Sequence, residues 1–113
     1  MLNQLKSLAD EYSKTADGDW LNDFNWCAVP VKFKNLKYGT VGCHFFGTIT
    51  LKESPDVSLI FDIYIHELRH VWQFRKQPLK YLAGKLFRRL IEDDADNEEI
   101  KAFKWYRGRN ERY

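Results

Sequence analysis

The sequence predicts an α+β fold in which a small antiparallel sheet of about three strands packs on a central helix, with further helices at the N- and C-termini. Three observations support this fold class. Short alternating stretches bounded by turn residues lie between positions 27 and 52. The stretch 57–74 is apolar on almost every side, which is typical of a helix buried in a core. Apolar residues also recur at helical spacing near both ends of the chain.

The first half of the chain predicts one helix followed by the sheet. Residues 2–14 carry apolar residues at helical spacing, and turn residues follow at 15–19. The aromatic stretch 20–26 shows no clear period, so it receives no assignment. Strand patterns then occur at three places, joined by short turns that favour antiparallel pairing: residues 27–34 after Pro30, residues 40–46 and residues 48–52.

The second half predicts helices. A serine, a proline and an aspartate at 54–56 are a strong helix start, and the helix that follows should run to about Lys76. Apolar residues repeat at helical spacing over 79–91, and an apolar stripe continues to Gly108 beyond the acidic cluster at 92–99.

The composition indicates a single domain covering residues 1–113. The chain is 44% hydrophobic and 16% aromatic, which is enough apolar mass for one core. A formal net charge of +2 favours neither a nucleic acid nor a membrane as partner. No apolar run approaches the length of a membrane span, and residues 1–6 lack the apolar core of a signal peptide. We therefore expect a cytoplasmic monomer with no membrane partner.

Residues His66, Glu67 and His70 form the pattern H-E-x-x-H. Residues four apart share one helix face, so the two imidazoles lie side by side as a pair of zinc ligands. Glu67 lies about 100° further round the helix, where it can take a proton from a metal-bound water. This is the arrangement of a zinc hydrolase, with the metal as Lewis acid and the glutamate as general base.

The alternative interpretation of the pattern is a core helix with two hydrogen-bonded histidines and one structural glutamate. Short motifs carry a false-positive risk, although two of the three histidines in the chain fall in this one. The apolar flanks favour a metal, because two histidines and a glutamate are costly to bury unless a partner satisfies them. We therefore predict Zn²⁺ as the cofactor.

A catalytic zinc ion needs a third protein ligand and one open position. No histidine follows His70, so an acidic ligand is implied. Glu92 and Asp96 share one helix face, so Glu92 could bind the metal while Asp96 accepts the other ring N–H of a ligand histidine. Carboxylates are dense here, and Glu98 or Glu99 could take the place of Glu92.

H-E-x-x-H followed by E-x-x-A-D on a later helix resembles the gluzincins, the thermolysin-like zinc peptidases, and the short chain is similar to the single-domain minigluzincins. The resemblance covers roughly residues 45–100. It implies a zincin-like fold and a zinc-dependent endopeptidase, a metalloprotease that hydrolyses peptide bonds. The implied metal ligands are His66, His70 and Glu92, with Glu67 as the base and Asp96 behind a ligand histidine.

The resemblance also implies where substrate binds. In this family an edge strand of the sheet lines the cleft and pairs with an extended peptide or protein substrate. Carried onto this chain, that strand is Thr48, Ile49, Thr50 and Leu51. Binding of this kind depends on main-chain hydrogen bonds and gives little sequence specificity.

Two features depart from the family pattern. The position before the second histidine is seldom charged in these peptidases, and here it is Arg69, for which a carboxylate near the site is the expected partner. The family stabilises the transition-state oxyanion with a tyrosine or histidine, and the candidates here are His44, Tyr81 and Tyr106. These departures favour a second interpretation, a catalytically weak or inactive zincin-fold protein that binds a protein or nucleic-acid partner.

A nucleic-acid role has one further source in the sequence. From residue 101 onward, basic residues alternate with aromatic ones, and such mixtures can grip phosphates and stack on bases. A solvated helix face beside an apolar stripe explains the same pattern more simply. Nucleic acid is therefore an alternative partner that the sequence does not favour.

Overall fold

Helix α2 (Phe61–Lys76), which carries the H-E-x-x-H pattern, lies at the centre of a small compact α+β fold. In this computed structural model it contacts helix α1 (Leu2–Ser13), helix α3 (Gly84–Glu111) and two of the three strands. The described residues are 1–35, 42–45, 48–54, 56–79 and 84–111, without the side chains of 42–45, 84–87 and 110–111. The predicted α+β class and the central position of the motif helix are confirmed.

Helix α1 confirms the helix predicted over residues 2–14. The apolar part of its buried face follows the helical period and consists of Leu5, Leu8, Ala9 and Tyr12, beside which Ser13 is also buried. The ring of Tyr12 is fully buried and meets the ring of Phe61 at 88°, with the centroids 6.2 Å apart. This edge-to-face contact, favourable for aromatic pairs, fixes α1 against the start of α2.

The turn after α1 depends on a glycine for packing. A Cβ atom at Gly18 would lie 2.1 Å from the carbonyl oxygen of Tyr12, so only glycine fits there. The unassigned aromatic stretch that follows contains two short 3₁₀ helices, Asp19–Asp23 and Trp26–Ala28. Elements this short show no usable hydrophobic period, which explains why the sequence does not reveal them.

The sheet has the strand order β1–β3–β2, where β1 is Val31–Lys34, β2 is Gly42–Phe45 and β3 is Thr48–Lys52. Strands β2 and β3 are antiparallel, but β1 and β3 are parallel. The prediction of an antiparallel sheet is therefore wrong for the β1–β3 pair. Strands that are consecutive along the chain usually lie next to each other. Here the consecutive strands β1 and β2 are separated by β3, and each pairs with one side of it.

The central place of β3 corrects a second prediction. Ile49 and Leu51 are fully buried and alternate with half-buried neighbours, as expected for a strand with one face on the core. Because β1 and β2 pair with β3 on its two sides, Thr48, Ile49, Thr50 and Leu51 do not form an edge. Their predicted role as a substrate-binding edge is wrong. Within the described sheet, the outer edges belong to β1 and β2.

Helix α2 begins later than the sequence predicts and ends where expected. Residues Val57–Leu59 first form a 3₁₀ turn, in which the carboxylate of Asp56 accepts hydrogen bonds from the amide (3.0 Å) and hydroxyl (2.7 Å) of Ser58. Ile60 then has a φ of −126°, outside the helical range, so α2 starts at Phe61. The predicted end near Lys76 is confirmed.

Helix α3 confirms the predicted helical segment from Gly84 onward. Near its C-terminal end, the ring of Trp105 packs 5.2 Å from that of Tyr12 and 5.7 Å from that of Phe61, measured between centroids. Arg109 then forms an ion pair of 3.0 Å with Glu11 of α1. Among the helices in the described part of the chain, none has the length and apolar character needed to cross a bilayer.

Gly18 and Gly108 make a matched test of this packing. We expect Gly18→Ala to lower the free energy of unfolding by about 1–3 kcal/mol, because the added methyl group must displace backbone. Gly108 lies in α3 with nothing within 4 Å of its would-be Cβ. Gly108→Ala should therefore raise the free energy of unfolding by up to about 1 kcal/mol, since alanine favours helix. Urea denaturation measures both, and equal effects would contradict the close packing at Gly18.

Candidate metal centre

Three side chains from two helices bring their donor atoms together at one point. The Nε2 atoms of His66 and His70 are 3.1 Å apart. Glu92 places Oε1 3.2 Å from Nε2 of His70, and Oε2 3.6 Å from Nε2 of His66. The structure therefore brings together the three residues that the sequence predicts as metal ligands.

Antiparallel packing of α2 and α3 explains this convergence. His66 lies opposite Glu99 and His70 lies opposite Glu92, so residue numbers fall along one helix as they rise along the other. The histidines are four residues apart on α2, and the carboxylates of 92, 96 and 99 are spaced so that they share one face of α3. The facing sides of two regular helices thus suffice to assemble the group.

The candidate centre is buried on the α2 side and open on the α3 side. The side chains of His70 and Glu67 are each 7% exposed, whereas that of Glu92 is 49% exposed. A metal ion held here would therefore have buried imidazoles on one side and would be accessible to solvent on the side of Glu92. A catalytic metal centre requires such an accessible position.

The second nitrogen of His66 faces two more carboxylates of α3. Its Nδ1 atom is 2.8 Å from Oε1 of Glu99 and 3.4 Å from Oδ1 of Asp96. Asp96 thus lies near the position predicted for it, but Glu99 is the closer partner. Glu98, the other alternative third ligand, is buried and has Lys101 3.6 Å from Oε1. Of the acidic candidates, Glu92 alone approaches the Nε2 side of the described histidines.

The negative charges around His66 favour a cation. Burial by itself would lower the pKa of His66, but contact with Glu99 and the charges of Glu67, Glu99 and Glu92 outweigh burial and raise the pKa. The same electrostatic potential that favours a proton on the imidazole favours a metal ion beside it.

Glu67 lies beside the donors rather than among them. Its Oε1 atom is 4.0 Å from Nε2 of His66, and the residue is 5% exposed. Burial raises the pKa of Glu67 to about 7, opposed by the charge of His66 and reinforced by those of Glu92 and Glu99. A carboxylate with this position and pKa can both accept and return a proton near neutral pH.

Arg69 points away from the donor atoms. Its guanidinium donates to both oxygens of Asp94, through Nε at 2.8 Å and Nη2 at 3.2 Å. The same group lies 3.8 Å from the ring centroid of Trp72 and 5.0 Å from that of Trp20. The expected carboxylate partner is therefore Asp94, and the charge at this unusual position joins α2 to α3 instead of entering the centre.

Gln73 is a contact of the centre that the sequence reasoning missed. It is 2% exposed, and its Oε1 atom lies 2.8 Å from Nδ1 of His70. Its position three residues after His70 places it on the same helix face, which is the one signal that could have identified it. A buried glutamine inside an apolar helix also requires a polar partner.

The candidate oxyanion stabilisers gain no support from their surroundings. The ring of Tyr106 packs against that of Phe61 with centroids 5.7 Å apart, so it belongs to the core around the start of α2. The side chains of His44 and Tyr81 lie outside the described part of the chain. These two residues therefore stay predictions.

Comparison with protein-family models, with curated proteins and with solved structures gave no significant match. The resemblance to gluzincins therefore rests on the residues of this chain alone. The function has to be inferred from the geometry of the centre.

Two glutamates on the same face of α3 allow the third ligand to be tested. We expect Glu92→Gln to abolish stoichiometric zinc binding, because the amide cannot supply the charged oxygen beside both Nε2 atoms. Glu99→Gln should keep one zinc per chain with an affinity about 10–100-fold lower, as expected for a group behind a ligand histidine. Titration with zinc in competition with a chromophoric chelator measures the zinc affinity and stoichiometry of both variants. If Glu92→Gln bound one zinc per chain and Glu99→Gln bound none, Glu99 would be the third ligand and Glu92 would not.

Proposed function

We propose that this protein is a zinc-dependent endopeptidase, and the spacing of the donor atoms of three side chains, His66, His70 and Glu92, carries the proposal. Ligand atoms about 2.0–2.1 Å from a tetrahedral zinc ion lie roughly 3.3–3.4 Å from one another. Nε2 of His66 and Nε2 of His70 are 3.1 Å apart, and the carboxylate of Glu92 places Oε1 3.2 Å from the Nε2 of His70 and Oε2 3.6 Å from the Nε2 of His66. These distances bracket the spacing that zinc requires.

The chemistry of the donor set supports a cation over a hydrogen-bonded pair of histidines. Nδ1 of His66 faces the carboxylates of Asp96 and Glu99, and Nδ1 of His70 faces the side-chain oxygen of Gln73. Both Nδ1 atoms therefore face acceptors and favour carrying the ring protons. When both rings are neutral, each Nε2 atom is then left with a lone pair near the other and near Glu92, an arrangement that a positive charge between them stabilises.

Zinc bound at these residues would polarise the carbonyl of a scissile peptide and lower the pKa of a coordinated water molecule. The role of Glu67 follows from its place beside the donors. Its carboxylate takes the proton from the attacking water and then donates it to the nitrogen of the leaving amine. Glu67 is itself only 5% exposed, so its carboxylate is largely shielded from bulk water.

The substrate in this proposal is an extended peptide bound at the edge of the sheet. Strand β2 contacts α2, is antiparallel to β3 and has its other side outermost in the described sheet. A peptide that pairs with β2 would extend the sheet on the side of the strand that β3 does not occupy. The proposal thus includes a zincin-like cleft between β2 and α2, in place of the edge that the sequence assigned to β3.

The alternative of a non-catalytic binding protein loses one of its two arguments. Arg69 is engaged by Asp94 and two tryptophans, so its charge does not enter the centre. A nucleic-acid partner also has less support, because Trp105 and Tyr106, two aromatic residues of the basic segment, are partly buried and pack against the core. The lack of an assigned oxyanion stabiliser keeps the non-catalytic alternative open to experiment.

The proposed base gives a direct test of catalysis. We expect Glu67→Gln to bind zinc like the wild type but to cleave an unfolded protein about 10²–10⁴-fold more slowly, because an amide cannot accept the proton. Mass spectrometry of casein fragments under single-turnover conditions measures the rate, and a chelator should abolish it.

Glu98→Gln is the matched control, since Glu98 is a buried glutamate of α3 that faces Lys101. Its rate should equal that of the wild type. Zinc binding without cleavage in the wild type would favour the non-catalytic binding protein. Equal rates for Glu67→Gln and the wild type would remove Glu67 from the mechanism.

A further inference from the structure

The side-chain amide of Gln73 has only one chemically acceptable orientation. Its Nε2 atom lies 2.9 Å from the carbonyl oxygen of Ile91 and 2.8 Å from Oδ2 of Asp94. Both neighbours are acceptors, so the nitrogen of the amide must face them and donate to both. The opposite orientation would place three oxygens together in a buried setting. The amide oxygen must therefore face His70.

This orientation determines which ring nitrogen of His70 carries the proton in the neutral imidazole. The oxygen of Gln73 accepts only, and it lies 2.8 Å from Nδ1 of His70, so Nδ1 must carry a proton and donate it. In the neutral ring the lone pair is then on Nε2. Nε2 is the atom that faces His66 and Glu92.

Gln73 is itself held by an ion pair. Asp94 accepts from Gln73 and from Nε of Arg69 through the same oxygen, Oδ2, at 2.8 Å each. Arg69 is in turn placed by the face of Trp72. Ile91, whose carbonyl oxygen accepts the second hydrogen bond, directly precedes Glu92.

We propose that Gln73 is a positioning residue of the metal centre, which fixes His70 in the tautomer with Nε2 free and holds the backbone of α3 next to Glu92. The proposal rests on the zinc site of the proposed function. It assigns the Arg69–Asp94 pair a role in that site: the pair holds Gln73 in its working orientation. The unusual arginine of the motif is then a supporting group for the second ligand histidine.

The main test replaces the amide with a side chain of similar shape that cannot hydrogen-bond. Gln73→Met should lower zinc affinity about 10–100-fold, the range expected when the partner of a ligand histidine is removed. Asn22→Ala is the matched control, because it removes an amide that donates to Ser13 (2.9 Å) and Asp19 (3.2 Å) far from the centre in sequence. It should reduce stability and leave zinc affinity unchanged.

A second measurement reports the tautomer directly and needs no metal. Long-range ¹H–¹⁵N NMR spectra of the metal-free protein, at a pH where the imidazoles are neutral, show which nitrogen of His70 is protonated. We expect Nδ1–H in the wild type and in Asn22→Ala. In Gln73→Met a mixture of tautomers should appear.

A reciprocal exchange tests the direction of the hydrogen bonds and covers the case that Gln73→Met does not fold. Gln73→Glu keeps an acceptor for His70 but places a carboxylate against that of Asp94. Zinc affinity should fall, and Asp94→Asn in the same chain should restore part of it, because an amide at position 94 can donate to the new carboxylate. The Nδ1–H tautomer should persist in both.

The outcomes separate this proposal from the proposed function. If the wild type binds no zinc, the zinc site fails, and the NMR spectra still decide whether Gln73 fixes the tautomer. If the wild type binds zinc and Gln73→Met matches it in both affinity and tautomer, the positioning role is overturned while the zinc site stands. Loss of affinity in Asn22→Ala equal to that in Gln73→Met would also overturn it, since the effect would then be general instability.

Discussion

Pairing of Arg69 with Asp94 joins α2 to α3 in one register, and the candidate metal centre depends on that register. The bidentate geometry restrains both the rotation and the translation of one helix against the other. A shift of one residue along α3 would turn its side chains by about 100°. Glu92 would then leave the Nε2 atoms, and Glu99 would leave Nδ1 of His66. This polar contact outside the centre therefore adds to the helix packing that places Glu92 beside the two histidines.

The free-energy cost of burying polar groups explains why the side chains around the centre form so many hydrogen bonds and ion pairs with one another. His70, Glu67 and Gln73 are all buried in a helix whose other inward residues are apolar. Each such group destabilises the fold unless a partner satisfies it. Gln73 meets this requirement by using its oxygen and its nitrogen on opposite sides. Nδ1 of His66 lies at ion-pair distance from the carboxylate of Glu99, and the negative charges around His66 also favour a cation. The features that accompany these buried groups are the same features that support the proposed metal site.

The parts of the fold that sequence predicts well are those with a strong local period. Helix α1, strand β3 and the end of α2 follow from hydrophobic spacing and turn residues, which act over a few residues. Strand order is a property of distant pairing, so the parallel contact between β1 and β3 and the central place of β3 could not be read from the same patterns. The error about the substrate-binding edge follows directly from this limit.

The candidate centre shows the same division. His66, His70 and Glu67 are recognisable because one helix fixes their spacing. The sequence alone does not distinguish Glu92 from Glu98 and Glu99 as the third ligand. In the structure Glu92 approaches Nε2 of His70, whereas Glu99 approaches Nδ1 of His66 and Glu98 pairs with Lys101. The role of Gln73 depends on a main-chain carbonyl of another helix, for which no sequence pattern exists.

The most direct test of the central claim is anomalous diffraction at the zinc edge from crystals of the zinc-loaded protein. The account predicts one peak, about 2.0–2.2 Å from Nε2 of His66, Nε2 of His70 and a carboxylate oxygen of Glu92. A peak at Nδ1 of His66 with Asp96 and Glu99 as ligands would contradict the assignment of the centre. The absence of any peak at saturating zinc would contradict the claim that the H-E-x-x-H helix binds a metal.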